Sequence, residues 1–205
     1  MIITLCIILI TSFVSISAFS NQHTVQRLIF SPYAIKRNKE WYRFITYGFI
    51  HANWIHLLFN MWVLYLFGNI TESYFKHVFG IAGGITYLFM YMAGMILSEM
   101  YSFFRHQDNP GYMSLGASGA VSAVLFASIL FKPLQKLYII FLPIGIPGFI
   151  FGLLYLLYSW YMARQARDNI GHYAHFFGAV FGFLFPILMK PALFIEFIQG
   201  IAYGF

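Results

Sequence analysis

Lys, Arg, Asp and Glu are absent from six stretches of this chain: 1–26, 44–71, 77–98, 109–131, 137–163 and 169–189. The hydrocarbon core of a bilayer is about 30 Å thick and takes about 20 helical residues to cross, so each stretch has room for one spanning helix. The pattern predicts helices over 2–20, 54–71, 79–101, 117–131, 147–163 and 173–190. Lys132-Pro133 ends the fourth on charge and proline grounds, and Pro147 suits a first helical position, where its missing N–H costs nothing. The intervening LYIIFLPIGIPG is apolar but broken by Pro143, Gly145, Pro147 and Gly148, and reads as an interfacial connection instead of a seventh span. Residues 21–53, aromatic and basic, form a loop long enough to be functional or partly membrane-embedded.

Composition strengthens this picture. Of 205 residues 60% are hydrophobic and 9% charged, whereas soluble domains carry about a quarter charged residues. The expected fold is an all-α, multi-pass membrane bundle that occupies 1–205 as a single domain. Residues 1–20 lack a basic leader region and read as a retained helix, although SISAFS resembles a signal cleavage site. The formal charge of +6 is assigned to lipid headgroups and topology; no basic arm for nucleic acid is present. Cys6 is the single cysteine, so no intrachain disulfide forms. The sequence has no internal repeat, which argues against an inverted-repeat transporter. Loop charges are lopsided. Arg27, Lys36, Arg37, Lys39, Arg43, Arg105, Arg164 and Arg167 share one side, against Lys76, Lys132, Lys136 and Lys190, which by charge alone puts the first loop in the cytoplasm.

The residues that lipid should exclude carry the chemistry. His56 and Asn60 in HANWIHLLFN, Ser118 in GASG, and His175 in AHFFGAVFG all fall inside apolar runs. Depth follows from the distance to the charged residue taken to end each helix. His56 to Glu72 is about 24 Å, Ser118 to Lys132 about 21 Å and His175 to Lys190 about 22 Å. Helices two, four and six are parallel, so the three side chains are expected at one level, with Asn60 one turn below His56. A serine hydroxyl needs a base to become nucleophilic, and a neutral imidazole is the usual one, which pairs His175 with Ser118. The oxyanion that follows needs donors: the backbone N–H at Ser118, the Asn60 amide and the His56 imidazole. Gly116 and Gly119 clear space around Ser118, and Gly178 and Gly182 give helix six a small face for close packing. Asp168, seven residues before His175, is set aside as a triad acid, and His51, His56, His172 and His175 lack the HExxH pattern of a zinc site. No metal or cofactor is expected.

Taken together, these motifs resemble the rhomboid intramembrane serine proteases over residues 40 to about 190. HANWIHLLFN is similar to the family's HxxxxHxxxN motif, GASG to its nucleophile motif, AHFFGAVFG to AHxxGxxxG, and EWYRF to the first-loop ExWR signature through Glu40 and Arg43. Gly68 and Glu72 resemble its GxxxE. The resemblance implies a six-helix bundle with a partly embedded first loop on the non-cytoplasmic side, against the charge count. It also implies Ser118 as nucleophile, His175 as base, His56 and Asn60 as oxyanion donors, and transmembrane segments of other proteins as substrates. A bacterial inner membrane is the expected setting. Two departures stand out: Trp41 is displaced by one position from the signature, and Ser122 stands where some members place a tyrosine under the catalytic imidazole. An inactive client-binding relative is the alternative reading, opposed by the presence of both Ser118 and His175.

Overall fold

The computed structural model describes residues 1–139, 142–165 and 170–204. Helix α1 (Ile2–Phe19) is followed by three short helices, α2 (Gln22–Leu28), α3 (Pro32–Asn38) and α4 (Arg43–Thr46), and then by α5 (Trp54–Phe79). Next come α6 (Gly83–Ser98), α7 (Met100–His106) and α8 (Ser118–Phe131). A hairpin of β1 (Lys136–Ile139) and β2 (Leu142–Pro147) leads to α9 (Gly148–Gln165), α10 (His172–Met189) and α11 (Ala192–Tyr203). The chain is an all-α membrane bundle apart from that hairpin. By length and composition, Ile2–Phe19, the stretch Trp54–His106 and His172–Met189 are apolar enough to cross a bilayer. Helix α8 has 14 residues, about 21 Å, because it begins at Ser118 and stops before Lys132-Pro133.

Helix α8 is the axis of the bundle. Every residue from Gly119 to Leu130 is buried, as expected for a helix apolar on all sides. Helices α5, α6 and α10 pack around it, and α9 and α11 complete the ring. Its contacts are close where residues are small: Gly94 of α6 lies against Ala120 and Ala123, and Gly178 and Gly182 of α10 lie against the backbone of Gly119 and Ala123.

Three expectations are corrected. Helix two does not stop at 71 but runs to Phe79, because Glu72 is fully buried and its charge is met in place. Thr4 donates to it from both backbone N and Oγ1 at 2.9 Å, and Lys76 Nζ donates at 2.6 Å. Glu72 is therefore an internal anchor for α1, seated beside Gly68, whose missing side chain admits Thr4. It cannot serve as the depth mark for His56. The third predicted helix is two, α6 and α7, broken at Glu99. The connection after α8, read as interfacial and not as a span, is a hairpin: β1 and β2 pair antiparallel, with Leu137 opposite Ile146 and Tyr138 opposite Gly145, which satisfies backbone groups that an apolar loop would leave bare. A last helix, α11, was not predicted; Phe197 packs edge-on to Phe183 of α10 at 5.1 Å. The third helix also starts four residues late, at Gly83, and the other boundaries shift by at most two residues.

The first loop is a small helical layer. Asn21 and Ser31 cap α2 and α3 by accepting from Thr24 N and Ala34 N. Buried Arg43 donates to the carbonyls of Gln26 and Ile29 at 2.9 and 2.7 Å, closing the C-terminal end of α2, and pairs through Nε with Glu40. The Arg43 guanidinium holds the Glu40 carboxyl below the usual carboxylate range. The displaced Trp41 stacks on Phe44 and packs against Phe103 of α7.

Candidate active site

The segment that carries Ser118 is pinned to the first loop at successive residues. Ser114 exchanges two backbone hydrogen bonds with Phe30, at 3.0 and 3.1 Å, and its hydroxyl donates to buried Glu99 at 2.6 Å. Gly116 N donates to the Tyr47 carbonyl at 3.0 Å, and Ala117 N to His51 Nε2 at 3.3 Å. Gly116 adopts φ +115°, a conformation other residues resist, and a Cβ there would lie 2.6 Å from the His56 ring. Glycine thus serves both the turn into α8 and the close approach of His56. With the N–H groups of Gly116 and Ala117 engaged, the donors that α8 offers are those of its first turn, beginning at Ser118.

His51 is the keystone of this loop. Because Nε2 accepts from Ala117, the proton sits on Nδ1, which lies 2.9 Å from Ser15 Oγ; Ser15 passes the chain on to the Phe49 carbonyl at 2.8 Å. The network needs a neutral imidazole. Burial, with a smaller contribution from His56 at 4.9 Å between ring centroids, lowers the His51 pKa to about 3. A basic group with a lowered folded-state pKa stabilises the fold fully above its unfolded value of about 6.5, and that contribution fades as pH falls toward about 3. Detergent-solubilised protein is expected to lose up to about 1.4 kcal/mol per pH unit across this window from His51 alone. His51→Phe should be less stable at pH 7 yet lose less on acidification; parallel melting curves for the two proteins would rule this out.

Three helix starts meet here. His56 is in the first turn of α5, Ser118 opens α8, and His175 is in the first turn of α10. The Ala174 carbonyl lies 3.5 Å from where a Gly119 Cβ would stand, and a Gly178 Cβ would overlap the Gly119 carbonyl oxygen. The neighbours of Ser118 and His175 are thereby in contact, and both residues are half-buried. Ser118 makes no side-chain hydrogen bond to another described residue. Hydroxyl–imidazole bonds in unliganded sites are often long and tighten with substrate. Asn60 is buried; its amide nitrogen donates to the His56 carbonyl at 2.8 Å and retains one further N–H. The convergent N-termini favour negative charge where an oxyanion would form.

The His175 imidazole is backed by an aromatic ring. Tyr155 of α9 lies nearly parallel to the His175 imidazole, centroids 6.4 Å apart at 26°, and its hydroxyl is 2.7 Å from Ser122 Oγ. His172 meets His175 edge-on at 6.0 Å. Asp168 and Arg167 lie outside the described residues. Among the described residues, no three His, Cys, Asp or Glu side chains are grouped to hold a metal ion.

The rhomboid domain profile matches residues 38–192. The chain belongs to the rhomboid family. Among rhomboid relatives, the YdcA protein of Bacillus subtilis (strain 168) is 30% identical over 161 residues, 74% of this chain and 68% of that protein. Rhomboid-like protein 11, chloroplastic, of Arabidopsis thaliana is 35% identical over 106 residues, 52% of this chain and 35% of its own. RHOMBOID-like protein 12, mitochondrial, of the same plant is 31% identical over 146 residues, 66% of this chain and 42% of its own. The chain thus spans well under half the length of the two plant rhomboids. The matched region starts just before Glu40 and takes in every candidate residue of this rhomboid site.

Sequence reasoning missed two contributors. His51 entered the sequence reading only through the rejected zinc set, yet it holds the residue before Ser118, and its place in HANWIHLLFN was the available signal. Tyr155 gave no signal, being one aromatic among six between Phe149 and Tyr161.

Proposed function

We propose that this rhomboid is an intramembrane serine endopeptidase that cuts transmembrane segments of other proteins. Helices α1, α5, α6, α8, α9 and α10 are read as its six crossings. The observation that carries the reading is the glycine seam between α8 and α10, which sets Ser118 and His175 at the same end of two touching helices, with His56 pressed against Gly116.

In the proposed reaction, His175 accepts the Ser118 proton as Oγ bonds to the scissile carbonyl carbon. The resulting oxyanion faces the Ser118 N–H, the His56 imidazole and the remaining Asn60 N–H. Collapse breaks the C–N bond, and the departing amine takes the proton from His175. Water then attacks the acyl-enzyme with His175 again as base, which releases the acid and restores Ser118. A helical peptide bond hides its carbonyl, so the substrate must unwind locally. No metal, cofactor or nucleic acid enters the scheme. The bilayer is proposed to be a bacterial inner membrane, a setting favoured by the extent of the match to the Bacillus protein.

Protein purified and reconstituted in liposomes with a single-span substrate is expected to yield two defined fragments, and Ser118→Ala none. Equal cleavage by Ser118→Ala would refute the proposal.

A further inference from the structure

Ser122 is buried one turn after Ser118, on a helix packed on every side, and its hydroxyl is not spent on the helix backbone but on the Tyr155 hydroxyl, at 2.7 Å. That bond fixes the far end of the Tyr155 side chain. Its ring is flanked by Phe126 at 5.5 Å and Phe151 at 6.0 Å, and lies nearly parallel to His175. A phenol tied at its hydroxyl and wedged at its ring has little freedom, and it offers the imidazole a fixed flat wall.

We propose that Tyr155, anchored by Ser122, is the positioning residue of His175. The proposal rests on the reading of Ser118 and His175 as the reacting pair. Through it, a wall for the base comes from α9, whereas the nucleophile comes from α8. Helix α9 is the thinly packed member of the bundle: Gly148, Gly152 and Ser159 are its buried residues, while Leu153, Leu154, Leu157 and Tyr158 are more than half exposed. The alignment of the base therefore depends on α9 staying seated against α8. Because the Ser122 hydroxyl points at the Tyr155 hydroxyl, a longer side chain at 122 would extend toward the space that the Tyr155 ring now fills.

The test is steady-state cleavage of the single-span substrate by the full-length protein, with melting temperature measured for every variant. Tyr155→Ala is expected to lower kcat about 10²-fold with KM within about twofold, the cost of a base displaced by about 1 Å. Tyr155→Phe and Ser122→Ala, which keep the ring, should each lower kcat about fivefold, and the double variant no further, because both remove the same hydrogen bond. Ser122→Tyr in the Tyr155→Ala background should recover at least about tenfold of the loss, which a merely structural role for Tyr155 does not predict. Wild-type kcat in Tyr155→Ala, additive losses in Ser122→Ala/Tyr155→Phe, or a folded Ser122→Tyr/Tyr155→Ala variant no better than Tyr155→Ala would each overturn the proposal. His175→Ala separates the two levels. If it is inactive while Tyr155→Ala is unimpaired, positioning by Tyr155 alone is wrong; if it is fully active, the dyad reading falls and the positioning role with it.

Discussion

His175→Ala is expected to lower cleavage of a transmembrane substrate by about 10⁴-fold while leaving the fold in place. In the proposed scheme the His175 imidazole takes the Ser118 proton, and no described carboxylate is placed to substitute for it. Glu72 is committed to Thr4 and Lys76, Glu99 accepts from Ser114, and Glu40 is paired with Arg43. Alanine is a strong helix former, and His175 is half-buried in the first turn of α10, so the melting temperature should change little. In the proposed reaction Ser118 and His175 act as a unit, so the double variant should be no slower than either single variant. Multiplying losses, or residual activity within tenfold of wild type, would contradict the pairing.

Gly182→Ala is expected to be damaging by another route. Helix propensity alone favours alanine by about 1 kcal/mol. At Gly182, however, the added Cβ would overlap the carbonyl oxygen and the Cα of Ala123, which are backbone atoms with no rotamer to retreat to. Helix α10 would have to move off α8, at a cost of about 1–3 kcal/mol for forced overpacking. The same shift carries His175 away from Ser118, for which about 10²-fold in kcat is expected. Gly178→Ala, whose Cβ would overlap the Gly119 carbonyl oxygen, should behave alike. Gly84→Ala is the control: its Cβ would meet the Ile3 Cδ1 methyl at 3.1 Å, the far end of a side chain that can turn aside. A lowered melting temperature and activity in the first two but not in the control is the expected outcome. Wild-type values for Gly182→Ala would mean that the seam does not set the site.

The candidate site was legible because lipid makes polar residues conspicuous. His56, Asn60, Ser118 and His175 each interrupt an apolar run, and glycines spaced by four residues announced the helix face that meets α8. Glu72 shows where such reading fails. A carboxylate after an apolar run looks like a terminator, and only the tertiary contacts of Thr4 and Lys76 turn it into an internal anchor and let α5 continue to Phe79. The hairpin was hidden for a related reason, since Pro and Gly in LPIGIP read as breakers while strand pairing depends on a partner further back in the chain. Tyr155 was invisible because ring stacking on His175 depends on how α9 is rotated, and aromatic residues occur on all its faces. The order within the first loop was equally hidden. What fixes it is a set of long-range bonds, from Ser114 to Phe30, Gly116 to Tyr47 and Ala117 to His51, that tie it to the segment carrying Ser118.

The central claim is that Ser118 is a nucleophile activated by His175. Its most direct test is labelling of the reconstituted protein with a fluorophosphonate, followed by peptide mass spectrometry to locate the adduct. The expected result is one adduct on Ser118 in the wild type, lost in Ser118→Ala and formed far more slowly in His175→Ala. An adduct on another residue, labelling that persists in Ser118→Ala, or no labelling of folded wild-type protein would contradict it.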